Sequence, residues 1–551
     1  MDINNILKNI TFSDINEELK SAFNSLINLV EKLSSENRQL RKENQHLRDE
    51  NNRLKGEQGK PDIKANTKDK KDISSEKERK NNTATKPKKK KRAKTKDIKI
   101  DRQEKCYIDK NILPADAVFK GYATDIVQDI IIKTDNIEFK REIYYSPSQK
   151  KTYTAELPKG YEGEFGPTLK AWTMIFKNIC NMSERRILDF FENVGIFISK
   201  GKISNILIKD HQQLFHQEKI AIVEAGMETT IYQAIDDTKA RVNGQNHHTH
   251  ILGNPYYTAF FTMPQKNRLT VLKVLNNEKE LMYCLNQHAF TVLKQLTLSK
   301  KYFKKLKKLE SEKIFTKQEF ENLILQKLPF LNQERVKSKI FDAAAIAAYH
   351  KGADRLVVQA LLCDDAPQFK LICEEMALCW VHDGRHYKKL SPVFKYNASK
   401  VTKFLEKYWK YYHKLLDYKS TPSVETAKTL SDEFDQLFST VTEYNELDDR
   451  IAKTKMKKEQ LLLVLKYPEI PLHNNDMELG ARVCARKRDV SLHTMTKQGT
   501  KANDTLLTIV ETCKKLKINP FQYLLDRITG TYNLPPLSQI IKQKHAETCY
   551  A

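Results

Sequence analysis

No run of eighteen or so apolar residues interrupts the 551-residue chain, so no membrane-spanning helix is expected. The opening residues, MDINNILKNI, lack a signal-peptide pattern, which predicts residence in the cytosol. The nine cysteines are scattered and odd in number. They form no disulfide framework on paper and are read as reduced thiols. Acidic residues are outnumbered, 70 Asp and Glu against 95 Lys and Arg, for a net charge of +25. A surplus of that size predicts a polyanionic partner, with nucleic acid as the first candidate. Large apolar residues are nearly absent from 58–105. Such a segment has no core to offset its ordering entropy and is read as a basic disordered linker.

Three acid-bearing stretches stand out. Residues 228–242 read as a strand in which Ile231, Tyr232, Ala234 and Ile235 lead to Asp236 and Asp237. Residues 356–367 are an apolar run ending at Asp364 and Asp365. Residues 471–488 place Glu478 on a helix, with Arg482 and Arg486 on the same face, four and eight residues on. An Asp at a strand end is by itself more often a turn former than a metal ligand. Two acids on strands and a third on a helix, in a very basic chain, make the arrangement that holds two divalent ions for phosphoryl transfer.

These blocks carry a resemblance. IDDTKARV, CDDAPQF with LCWVHDGRHYKKL, HNNDMELGARVCARKRD and LLTIVETCKKLKINPFQYLLDRI resemble successive blocks of the insertion sequence 66 family of bacterial transposases. In the last block Glu511, Thr512, Asn519, Pro520, Tyr523 and Leu524 stand where that family carries them. The resemblance runs from about residue 165 to about 530. It implies an RNase H-like α/β core, a mixed sheet flanked by helices. It also implies a DDE triad on Asp236, Asp364 and Glu478 that cuts and joins DNA with two Mg²⁺ or Mn²⁺ ions. Where the family tends to read Asp-Glu-Thr at the first acid, this chain reads Asp-Asp-Thr, so Asp236 is chosen over Asp237 by motif matching alone. The family usually carries paired Cys-x-x-Cys zinc ligands before the core. Here only Cys106 is present between 106 and 165, and zinc is not expected.

The rest of the chain is read around that core. Residues 1–57 are expected to form a leucine-zipper coiled coil. Leu26, Leu33, Leu40, Leu47 and Leu54 fall at d positions and Val30, Asn37, Asn44 and Asn51 at a positions. Asparagine at a favours a parallel pair of helices. Glu36, Glu43 and Glu50 at g match Arg41, Arg48 and Lys55 at e, which predicts a homodimer rather than one solvated amphipathic helix. Residues 106–165 alternate in β fashion and are expected to be a metal-free β-ribbon. Residues 166–215 read as a helix-turn-helix, with Ser183 and Ser199 as caps and Lys200 and Lys202 opening the second helix. The catalytic domain spans 228–500, with helical insertions at 277–350 and 395–466. His247, His248 and His250 are assigned to a polar hairpin loop, not a metal site. Cys379 and His382 could join Cys373 and His386 in a zinc site. Their apolar context favours a packed thiol, with His382 supporting the acids. Arg482, Arg486 and Lys487 are expected to clamp phosphate. Residues 501–551 are a C-terminal helical tail, loosely ordered after 533.

The expected function is Mg-dependent strand cleavage and strand transfer of an insertion sequence, by a nucleoid-associated protein that holds element ends and target DNA. Small accessory proteins of the same element are possible partners. The alternatives are an RNase H-like nuclease that does not join, and a catalytically silent DNA-binding regulator.

Overall fold

The computed structural model describes residues 17–55, 99–114, 116–329, 333–352 and 356–549. Most of the expected linker and the first residues of the chain lie outside these. The N-terminal helix α1 runs from Glu17 to Leu54. Next come a short hairpin of β1 (Ile143–Ser146) and β2 (Lys151–Thr154), then helices α2 (Pro167–Asn178), α3 (Glu184–Asn193), α4 (Lys200–Ile208) and α5 (Gln212–Met227). Ser183 and Ser199 accept from the backbone N–H of Arg186 and Lys202, capping α3 and α4.

A five-stranded sheet follows, in the order β5-β4-β3-β8-β9. Strands β3 (Tyr232–Val242), β4 (Gln245–Asn254) and β5 (Tyr257–Met263) form an antiparallel meander. The β3–β4 turn is Asn243-Gly244, with φ of 48° and 75°. Two left-handed residues give a two-residue turn whose twist matches that of its strands. The sheet is completed by β8 (Ala360–Cys363), parallel to β3, and β9 (Glu375–Leu378), parallel to β8.

The pleat splits the apolar residues between two cores. Ile235, Leu252, Ala259, Phe261 and Leu361 face one cluster, formed with α5, with α6 (Arg268–Leu275) and with α7 (Glu334–Lys351). Tyr232, Ala234, Ile251, Phe260, Ala360 and Leu362 face the other, which includes Met477. Met477 belongs to α11 (Asn475–Ser491), which follows α8 (Trp380–Lys389), α9 (Lys395–Ser420) and α10 (Asn445–Lys455). Helices α8 to α10, with the helix Val424–Leu437 that lies between α9 and α10 in sequence, build a separate aromatic core around Trp380, Tyr408, Tyr411, Phe434 and Phe438.

The edge of the sheet at β5 is closed by side chains. Helix α12 (Lys497–Leu516) presents Asp504, Thr508 and Thr512, which accept from the backbone N–H of Thr262, Phe260 and Thr258 at 2.6, 3.1 and 3.3 Å. Four residues of helix rise about 6 Å and two residues of strand about 6.8 Å, so the two rows stay in step. An edge strand otherwise exposes such donors. The chain ends with α13 (Pro520–Thr529) and α14 (Leu537–Cys549).

Three expectations are corrected. Residues 106–165 are not a full β-ribbon. Only β1 and β2 pair, and 117–142 carry no ladder, leaving Val127, Ile130 and Ile131 at least 80% exposed. Alternation proposes a strand, but a strand forms only where a neighbour takes its backbone groups. The insertion at 277–350 is not wholly helical. It contains a hairpin of β6 (Tyr283–Leu285) and β7 (Ser311–Phe315), and its last helix, α7, buries Ile340 to Tyr349 in the main core. The tail from 533 to 549 is ordered: Leu537 and Ile541 of α14 are fully buried, and Lys542 pairs with Glu228 at 2.6 Å.

Helix α11 lies close on the sheet because Gly480 faces β4, where an added Cβ would stand 2.8 Å from Ile251 Cγ2. Gly480→Ala should therefore destabilise the fold by about 1–3 kcal/mol, read as a lower urea midpoint, even though alanine is the better helix former.

Candidate active site

Strand alternation decides where each acid goes. Asp236 shares the pleat face of Tyr232 and Ala234, the face covered by α11. Asp237 points the other way, where Lys266 Nζ lies 3.2 Å from its Oδ1 and Gln368 Nε2 donates to Oδ2 at 2.9 Å. On the neighbouring strand the last registered pair is Ala234 with Leu362. Asp236, within β3, and Asp364, just past the end of β8, each lie two residues further on and on one side. Asp365 is turned away and neutralised by Lys370 at 2.8 Å and Lys457 at 2.6 Å. Within each Asp pair, one carboxylate is held by protein cations. The other has no ion pair among the described residues.

Glu478 enters the same face from the first turn of α11. Three hydrogen bonds tie together the segments beside the acids. The Asn474 side chain donates to Ile235 O at 2.7 Å, one residue before Asp236. Trp380 N–H donates to Leu472 O at 3.0 Å, and Cys379 N–H to Cys363 O at 3.1 Å, one residue before Asp364. The backbones next to all three acids are thus tied into one knot.

Burial, then the charges of Asp364, Asp237 and Glu478, push the Asp236 carboxyl up to about 7. The backbone N–H of Asp237, donating at 2.8 Å, offsets only part of this. The site is therefore short of positive charge near Asp236 and Asp364. A set of oxygen donors with that shortage fits hard divalent cations, which take carboxylates and retain waters.

The cation that is present touches only the third acid. Arg385 Nη2 donates to Glu478 Oε2 at 2.9 Å, and Nη1 to His382 Nε2 at 3.1 Å. The His382 nitrogen that accepts is unprotonated, so the ring proton belongs on Nδ1, 3.7 Å from Glu478 Oε1. Burial lowers the His382 pKa, opposed by Glu478 and aided by Arg385. Cys379, His382 and Glu478 offer ligand atoms within 4.8 Å of one another. Burial pushes the Cys379 thiol up to about 11, and its sulfur accepts from Asn474 N–H at 3.4 Å. A protonated, hydrogen-bonded thiol is a packing group, whereas the thiolate is the metal ligand. Cys373 and His386 lie apart from it, lining a cleft of about 820 Å³ with Lys370, Arg450, Lys453 and Lys457.

Other expected residues divide. Arg482 and Arg486 are exposed on α11. Lys487, expected to clamp phosphate, is instead 6% exposed, donates to Asn178 Oδ1 at 2.6 Å, and has its pKa lowered to about 7 by burial. Helix rotation explains this: Lys487 is one residue past Arg486 and turns under the helix toward α2. Lys200 is exposed, and Lys202 is paired with Asp210 at 2.9 Å. His247, His248 and His250 lie on β4, not in a loop. Leu26, Leu33, Leu40, Leu47 and Leu54 form an exposed stripe on α1, on the helix that also carries Asn37, Asn44 and Asn51. Asn474, one turn before the acid and of a type expected there to hydrogen-bond a carboxylate or phosphate, instead holds the backbone of β3. Arg385 escaped the sequence reading, although it stood three positions after His382, the spacing that shares a helix face.

Fold and site together define a mixed α/β protein whose sheet presents one acid within β3 and a second just past β8, beside a helix that adds another, an arrangement compatible with a transposase core. A model of the Transposase IS66 family matches residues 360–502, the stretch that includes Asp364, Cys379, His382 and Glu478. The uncharacterized protein y4jO of Sinorhizobium fredii (strain NBRC 101917 / NGR234) is 31% identical over 337 residues, covering 59% of this chain and all of that one. No solved structure matches. The chain belongs to the IS66 family of transposases. No helix among the described residues is long and apolar enough to cross a membrane.

The Asp236 carboxyl gives a sign-definite pH dependence. The folded state keeps this proton up to about pH 7, whereas the unfolded chain releases it near 3.8. Between those values the folded state binds more protons, so the Asp236 contribution to stability falls as pH rises. Metal-free Asp236→Asn should lack that loss. Its urea midpoint relative to wild type should be higher at pH 8 than at pH 5.

Proposed function

We propose that this chain is a DNA transposase that cuts strands at the ends of an insertion sequence and joins the freed 3′-hydroxyl to target DNA. The observation that carries the reading is that Asp236, Asp364 and Glu478 lie on one face of the sheet, near enough for the charges of the other two to raise the Asp236 carboxyl. The strand order, an antiparallel meander followed by two strands parallel to its first, supports an RNase H-like core. Asp236, Asp364 and Glu478 would hold two Mg²⁺ or Mn²⁺ ions, which when bound supply an activated oxygen nucleophile and stabilise the leaving oxygen.

The chain's own groups do the rest by positioning and charge. A cation bound there must displace the Asp236 proton, so at limiting Mg²⁺ activity should rise with pH up to about 7 and level above it. Arg385 and His382 fix the Glu478 rotamer. The Arg385 guanidinium is partly exposed beside the same acids, in reach of a scissile phosphate. Arg482, Arg486 and Lys200 offer exposed cations for DNA phosphates, contacts that orient a duplex without reading its sequence. Asp237 and Asp365, engaged by lysines, hold the surrounding loops. Two chains paired through α1 would bring both element ends into one complex.

The test is a supercoiled plasmid with labelled element ends and Mg²⁺. Asp364→Ala should lower cleavage and joining at least about a hundredfold, while Asp365→Asn, outside the cluster, keeps most of both. Wild-type strand joining supports a transposase. Cutting without joining would leave a nuclease, and binding alone a silent regulator.

A further inference from the structure

Helix α1 has two working faces. Against the body of the protein it buries Ile27 and Glu31, at 6% and 2% exposure. Glu31 accepts from the backbone N–H of Val393 at 2.9 and 2.8 Å and of Phe394 at 3.1 Å, and from the Asn397 side chain at 3.4 Å. These groups surround the start of α9, which has no side-chain cap of its own. A carboxylate there also meets the positive end of the helix dipole. Asn28 donates to Glu443 O and accepts from Asn445 N–H, both at 3.2 Å. Asn24 reaches the Glu443 carboxylate at 3.2 Å, and Arg38 reaches Ser391 O at 3.1 Å.

In the heptad these contacts fall at b, e and f: Asn24, Glu31 and Arg38 at b, Ile27 at e, Asn28 at f. The leucines at d remain 55–78% exposed. The matched g and e charges, Glu36 with Arg41, Glu43 with Arg48 and Glu50 with Lys55, lie mostly beyond the docked stretch, which runs to Arg38.

We propose that α1 is a bifunctional arm. Its b/e/f face is latched to the insertion between Asp364 and Glu478 through Glu31, and its a/d face takes a second copy of this chain in parallel register. The occupant is argued from the charge pattern: g and e pair head to head only with a parallel identical helix, and the asparagines at a meet their equivalents in that register alone. The dimer seam is therefore fixed to the catalytic body of each chain. The latch contacts Ser391 to Asn397, a few residues after the helix that carries His382 and Arg385. This deepens the pairing stated above and stands apart from the DNA chemistry.

The test uses the full chain without DNA, with mass read by light scattering and amide exchange read at 391–397. Wild type should be a dimer with Val393 and Phe394 protected. Leu40→Glu with Leu47→Glu, both surface residues in the single chain, should give a monomer that keeps this protection. Glu31→Gln should stay dimeric but exchange these amides about tenfold faster. The proposal is overturned by a monomeric wild type or by a dimer that survives the double substitution. It also fails if protection is lost in the monomer, if Glu31→Gln yields a monomer, or if Glu31→Gln leaves exchange unchanged.

Discussion

Two-residue alternation in a β-strand is the constraint on which the site depends. It takes two adjacent aspartates, chemically near-identical, and sends them to opposite sides of the sheet. Asp236 meets α11, while Asp237 meets Lys266 and Gln368. The parallel register of β3 and β8 then sets Asp364 beside Asp236. A slip of one residue would exchange each acid for its neighbour and turn Asp236 away from the face covered by α11.

Register alone does not bring the third acid in. That falls to short polar links between segments far apart in sequence, above all Asn474 to Ile235 O and Trp380 to Leu472 O. Gly480 lets α11 sit close enough for those links to form. The insertion of α9 and α10 leaves and re-enters the core beside these bonds and packs on its own aromatic cluster. Its bulk therefore adds to the protein without separating Asp364 from Glu478.

Much of this was legible in the sequence. Apolar runs leading to acids marked β3 and β8, and the serine caps marked α3 and α4. The tail block is now explained physically: Thr512 closes the β5 edge, Asn519 caps α13 with Pro520 in its first turn, and Tyr523 donates to Glu218. What stayed illegible was tertiary. Lys487 looked like its exposed neighbours but turns inward by one helical step. The alternating stretch before α2 had the period of a strand and no partner. Arg385 reads as one cation among many until the fold sets it against Glu478.

The position of Glu478 has a consequence for synthesis. A chain emerging from the ribosome exposes Asp236 first and Asp364 much later, and Glu478 only after the whole α9–α10 excursion has been made. Domains generally fold as units as they emerge, so the half-made sheet carries two aspartates and no third acid. Translation itself withholds the completed acid cluster until nearly all of the polypeptide exists.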